Sequence, residues 1–137
     1  MQDFRRGRHS VSRLTVHLVC VTKFRRSVFD SKALDFLETH AVQAFAKMDC
    51  RLLACDGEAD HVHLLVEYPP KLPVSTLVNM FKGTSSRMLR QERPDIAQRY
   101  WHKGVLWSPS YFAASTGGAT LETVKRYVEG QRASSSP

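Results

Sequence analysis

Three cysteines, Cys20, Cys50 and Cys55, are all that this 137-residue chain contains. No two form a C-x-x-C pair, and an odd number leaves one over. That argues against a disulfide framework and a zinc ribbon, and for reduced thiols in a cytoplasmic protein. Long hydrophobic runs are missing too. No window approaches the roughly 18 apolar residues of a membrane span. The basic N-terminus is followed by no apolar signal-peptide stretch. A soluble cytoplasmic protein with no membrane partner is the expectation. Acidic residues are the scarcer charge, 13 against 20 lysines and arginines, for a net charge of +7. Such a surplus on a small chain favours an anionic partner, nucleic acid among them. There is no internal repeat and no linker. Residues 1–137 are therefore expected to form one domain, with residues 1–12 a loose basic arm and 132–137 a flexible tail.

Apolar residues make up 42% of the chain, enough for a single core. In "RLTVHLVCVTK", Leu14, Val16, Leu18 and Cys20 share one face while Val19 and Val21 share the other. Apolar residues on both faces predict a central strand. Leu34, Leu37, Ala41, Phe45 and Met48 predict a helix over 31–48, capped by Asp30 or Ser31. "CRLLACDGEA" and "HVHLLVEY" predict two strands paired as a hairpin. After Pro69, Pro70 and Pro73, helical spacing returns over 74–92, followed by a loop around Pro94. Residues 105–116 predict a strand made irregular by Pro109. Gly117 and Gly118 end it, and Thr120 can cap a last helix over 120–131. The β-α-β-β-α-β order is the split βαβ, ferredoxin-like arrangement of the α+β class. An antiparallel sheet carries helices on one face and leaves the other free for a ligand, a partner or an extra helix.

Within "DHVHLLVEY", His61 and His63 are two residues apart on a strand. They share a face, opposite Val62, Leu64 and Val66. Two imidazoles so placed can bind one divalent metal ion. The competing reading is a polar pair on a solvated sheet face, and an H-x-H alone does not choose between them. In "TLETVKRYVEGQ", Tyr127 and Gln131 are four apart, one above the other beside the stripe of Leu121, Val124 and Val128. A phenol is a weak nucleophile at neutral pH. A divalent ion that polarises a phosphodiester supplies what it lacks. His61, His63 and Gln131 would be three neutral ligands to such an ion. The bland reading of Tyr127 is half-buried packing on an amphipathic helix.

The stretches "HLVCVTKFRR", "DHVHLLVEYPP", "FKGTSSRML", "LWSPSYFAASTGG" and "VKRYVEGQ" together resemble the single-tyrosine HUH transposases of the insertion-sequence-200 type, TnpA-like proteins, over about residues 14–131. The resemblance implies a transposase that cleaves and rejoins single-stranded DNA through a covalent 5′-phosphotyrosine on Tyr127. It implies recognition of subterminal hairpins. The ligands would be His61, His63 and Gln131, with Mg²⁺ as the ion and Mn²⁺ as a substitute. It also implies a homodimer in which first strands pair edge to edge. Tyr127 would then serve the partner's histidines by a swap hinged at Gly117 and Gly118. Lys23, Arg25, Arg26, Lys82 and Arg87 are candidates for phosphate contacts. Phe24, Tyr68, Trp101, Trp107 and Tyr111 are candidates either for base stacking or for the core. Three alternatives stay open: a related HUH endonuclease acting on repeated palindromes, a non-catalytic ferredoxin-like nucleic-acid-binding module, and a metal-dependent hydrolase without a covalent step, for which only the carboxylates Asp60 and Glu67 lie near His61 and His63.

Overall fold

Alternation along one strand sets up the fold. In β3 (Leu14–Thr22), Val16, Leu18 and Cys20 enter the main hydrophobic core, while Thr15, His17 and Val19 point the other way and are buried all the same. Burial on both faces marks a central strand. The computed structural model describes residues 4–7, 11–100 and 105–116. β3 lies between β5 (His61–Tyr68) and β6 (Trp107–Ser115), and β4 (Arg51–Glu58) completes an antiparallel sheet ordered β4-β5-β3-β6. This is the α+β, split βαβ arrangement expected of the sequence.

Helix α1 (Ser31–Ala46) is capped by Asp30, whose carboxylate accepts from the Ala33 N–H at 2.8 Å. Its buried stripe is Ala33, Leu37, Ala41 and Phe45. Helix α2 (Val74–Glu92) buries Leu77, Val78, Phe81 and Leu89. Both stripes join Val16, Leu18, Cys20, Val62, Leu64 and Val66 in one core, so the helices cover a single face of the sheet. Phe45 stacks on Phe81, with ring centroids 6.0 Å apart. Trp107 belongs here as well: it is 5.8 Å from the Phe81 ring, and its indole N–H donates to Ser85 Oγ at 2.9 Å. It is a core residue and not a stacking surface. None of the helices among the described residues is long and apolar enough to cross a membrane.

Several expectations need correction. The stretch read as a loose arm contains a short ladder, β1 (Arg5–Arg6) against β2 (Val11–Ser12). Arg5 fastens it by donating to both oxygens of the buried Glu67, at 2.9 and 2.8 Å, and to Asp49 at 2.8 Å. A pairing that relies on one long-range ion cluster leaves no periodic trace in sequence. The loop around Pro94 holds a short helix α3 (Pro94–Gln98), with proline in its first turn. β3 has hydrogen-bonded neighbours on both sides, so it cannot extend a sheet into a second subunit; the edges are β4 and β6. The irregularity near Pro109 is a register shift of β6 against β3 between Cys20 and Thr22. The Lys82 ammonium donates to the carbonyls of Ser108 and Ser110 at 2.6 and 3.0 Å, which holds the bulge. The Gly117–Gly118 hinge, the helix over 120–131 with Tyr127 and Gln131, Trp101 and the tail lie outside the described residues.

Candidate active site

His61 and His63 project from β5 on the face away from α1 and α2, as the alternation requires. They are not solvated. Their relative exposures are 2% and 1%. Their rings are nearly perpendicular, with centroids 4.9 Å apart. Each imidazole has a partner that fixes it. His61 Nδ1 lies 2.7 Å from Asp60 Oδ1 at the start of the strand. A carboxylate accepts only, so in the neutral imidazole the proton sits on Nδ1 and Nε2 keeps the lone pair. Glu58 Oε2 is 3.7 Å from that Nε2, across the hairpin, where Glu58 pairs with His61.

His63 is held by a third histidine. His17 Nε2 is 3.0 Å from His63 Nδ1, and the two rings stack at 5.2 Å with planes 10° apart. Phe112 of β6 closes the edge of His17, with centroids 6.0 Å apart. His17 has no exposed surface, and its Nδ1 is buried with no hydrogen-bond partner among the described residues. Burial pushes its pKa down to about 4, so it is neutral at physiological pH.

Sequence reasoning missed His17 and Glu58. The available signal for His17 was its place among Val19 and Val21 on the second face of the first strand. Its meeting with His63 depends on antiparallel register, with His17 opposite Leu65 and His63 opposite Val19. Glu67, named by proximity to the histidines, is occupied elsewhere by Arg5 and, at 3.5 Å, by Arg51.

The five basic candidates divide. Lys23, Arg25 and Arg26 form a tight turn after β3. Arg25 Nε lies 3.5 Å from Asp60 Oδ2, beside the histidine pair. Lys82 and Arg87 stand on α2, which packs against the other face of the sheet. Lys82 is half-buried and Arg87 exposed.

Among the described residues no group of three or more His, Cys, Asp or Glu side chains is arranged to hold a metal ion. The two oriented imidazoles fit the histidine part of a divalent site. The Asp60–His61 contact is the outer support such ligands ordinarily have. The three thiols contribute nothing: burial pushes Cys20 and Cys55 up to about 12 and Cys50 to about 11.

A basic turn set against a buried histidine pair, on a split βαβ sheet, defines an α+β protein with a basic, histidine-bearing site. Comparison with known proteins places it more closely. The chain belongs to the family described as "Transposase IS200 like", which matches residues 10–131. It is 28% identical over 129 residues to the ISDra2 transposase TnpA of Deinococcus radiodurans, covering 94% of this chain and 91% of that one. It is 30% identical over 120 residues to the transposase for insertion sequence element IS200 of Salmonella typhimurium, covering 84% and 74%. A crystal structure from D. radiodurans R1 superposes with a TM-score of 0.78 at 30% identity, covering 93% of this chain and 97% of the other. The structure of a REP-associated tyrosine transposase bound to a REP hairpin shares the fold, with a TM-score of 0.55 at 14% identity, covering 93% and 68%. The protein is a DNA-processing enzyme of the transposase class.

Proposed function

We propose that this chain cleaves and rejoins single-stranded DNA at insertion-sequence ends, with Tyr127 as the nucleophile. The Tyr127 oxygen attacks phosphorus as the bond to the 3′ oxygen breaks. The phenol loses its proton, and the departing oxygen becomes a free 3′-OH. The product is a 5′-phosphotyrosine link that conserves the energy of the broken bond. A 3′-OH then attacks the link and restores a phosphodiester. A divalent ion, Mg²⁺ or in its place Mn²⁺, supplies charge stabilisation for the scissile phosphate when bound by His61, His63 and Gln131.

The observation that carries this reading is the paired orientation of the histidines. Asp60 fixes the His61 tautomer so that Nε2 can ligate. Ligation by His63 Nε2 needs its Nδ1–H to donate to His17 Nε2, and the 3.0 Å separation suits that bond. The REP-hairpin complex of a protein with this fold supports a hairpin partner for this chain. The closer sequence relatives favour insertion-sequence ends over repeated palindromes. A homodimer acting in the cytoplasm, with Tyr127 of one subunit meeting the histidines of the other, completes the reading. Any continuous sheet would then run through β4 or β6.

Labelled hairpin DNA from the element's own ends, incubated with Mg²⁺ or Mn²⁺, tests this. The expected result is a covalent protein–DNA adduct that disappears in Tyr127→Phe. Undiminished cleavage in that variant sinks the assignment.

A further inference from the structure

We infer that Phe24 is a stacking platform for one unpaired base of the single strand that enters the histidine site. The inference rests on the single-stranded substrate proposed above, but not on the identity of the nucleophile.

Phe24 is the most exposed large hydrophobic side chain among the described residues, at 71%. Its backbone is unusual as well. Phe24 and the following Arg25 both have positive φ, 62° and 52°, and neither is glycine. The left-handed region is sterically unfavourable for an ordinary L-residue. Two in succession persist only because the turn is over-determined by its surroundings, and strain of this kind gathers at functional sites.

The anchors are specific. The Thr22 N–H donates to the Asp60 carbonyl at 2.9 Å, and Thr22 Oγ1 donates to the Arg26 carbonyl at 2.8 Å. The Lys23 N–H donates to the Leu106 carbonyl at 2.9 Å. The Tyr100 hydroxyl donates to the Lys23 carbonyl at 3.2 Å. Val28 and Phe29 both donate to the Ala59 carbonyl, at 3.0 and 2.9 Å. The turn is thereby bound to residues 59 and 60, which lead directly into His61. An apolar ring is held out into solvent at a fixed place beside the site.

Its neighbours select the occupant. The Lys23 ammonium is 5.5 Å from the Phe24 ring centroid, and the Arg26 guanidinium is 5.1 Å from it. Arg26 also lies 5.1 Å from the Tyr100 ring and donates to the Arg99 carbonyl, so it backs the platform. Arg25 adds a third cation. A protein-docking patch needs contiguous apolar surface. Phe24 has none in sequence, since Lys23, Arg25, Arg26 and Ser27 surround it. A lone flat ring among three cations suits a ligand with flat apolar faces joined by anions, which describes single-stranded nucleic acid. Stacking tolerates any base, so this contact would place the strand without reading it.

Fluorescence anisotropy with labelled oligothymidylate and with a fully paired duplex tests the inference on Phe24→Ala, Phe24→Leu and Phe24→Trp. Base stacking is worth about 1–3 kcal/mol per base, so Phe24→Ala should weaken single-strand binding roughly tenfold. Phe24→Trp should retain affinity and Phe24→Leu should not. Duplex affinity should stay unchanged. Replacing the ring should leave the salt slope intact, whereas Lys23→Ala should lower it by about 0.7. Equal loss on both DNA forms, full retention by Phe24→Ala or Phe24→Leu, or no single-strand binding by the parent protein each overturns the platform. Undiminished cleavage by Tyr127→Phe alongside the expected Phe24 series would remove the nucleophile and leave the platform standing.

Discussion

The two faces of β3 and β5 are both largely buried, but only one of them buries polar side chains. Towards the helices, Val16, Leu18, Cys20, Val62, Leu64 and Val66 carry no hydrogen-bonding demand beyond the ladder itself. On the other side, Thr15, His17, His61, His63 and Glu67 are polar and almost wholly enclosed. Burying polar groups is costly unless each finds a partner. Arg5 supplies one for Glu67, Asp60 for His61, and His17 for His63. The apolar face specifies the fold. The polar face accepts a stability cost and in return holds imidazoles at fixed angles, which loose surface histidines could not achieve.

Adjacent residues give the sharpest way to break that division. His63→Ala should lower single-strand cleavage by about a thousandfold or more, because several kcal/mol of transition-state charge stabilisation depend on the ligand set. Its unfolding free energy should fall by only about 1–3 kcal/mol, the cost of leaving His17 Nε2 without its partner. A comparable fall in unfolding free energy and in activity would show that His63 is structural.

Leu64→Ala, one residue on and facing the helices, should do the reverse. Loss of a buried leucine typically costs 2–5 kcal/mol of stability. Calorimetric titration with Mn²⁺ should still give the parent affinity in the fraction that remains folded. A metal affinity that fell in step with stability would mean the two faces are one energetic unit.

How much of this was legible from the residues differs between the faces. The helix-side face announced itself through periodicity: the strand pattern, the α1 and α2 stripes and the Asp30 cap all follow local rules. The H-x-H was equally visible because both histidines sit on one strand. His17 and Glu58 were not, since each meets the pair only through a neighbouring strand's register. The same holds for Arg5, whose partner Glu67 is 62 residues away. Phe24 and Trp107 looked alike as aromatics. One is held in solvent by a strained turn and the other fills the core, a difference decided by backbone dihedrals and tertiary packing.

The smallest expected effects belong to His17, and they test whether the polar face is organised by its hidden member. His17→Phe removes the ring nitrogen that pairs with His63 Nδ1 while keeping a flat ring beside Phe112. Loss of such an outer partner ordinarily costs about 10–100-fold in metal affinity. His17→Gln should recover part of it, because the carboxamide oxygen can accept the same hydrogen bond. Failure of both variants to change Mn²⁺ affinity would leave His17 as packing alone. The pH dependence of stability offers a second readout. His17 is held neutral in the fold, with its pKa depressed from 6.5 to about 4 by burial. Between those values the unfolded chain binds a proton that the folded chain refuses, so stability rises with pH there. The His17 contribution is complete above about pH 6.5 and is lost as the pH falls towards 4. The carboxylates of Asp30 and Asp95, held below their usual range by Arg93, act only at still lower pH. Denaturant midpoints of the parent protein should therefore fall on going from pH 7 to pH 5, and His17→Phe should flatten that fall. Parallel curves for the two proteins would mean that the acid sensitivity arises from other groups, such as His40 on α1, whose pKa burial also lowers.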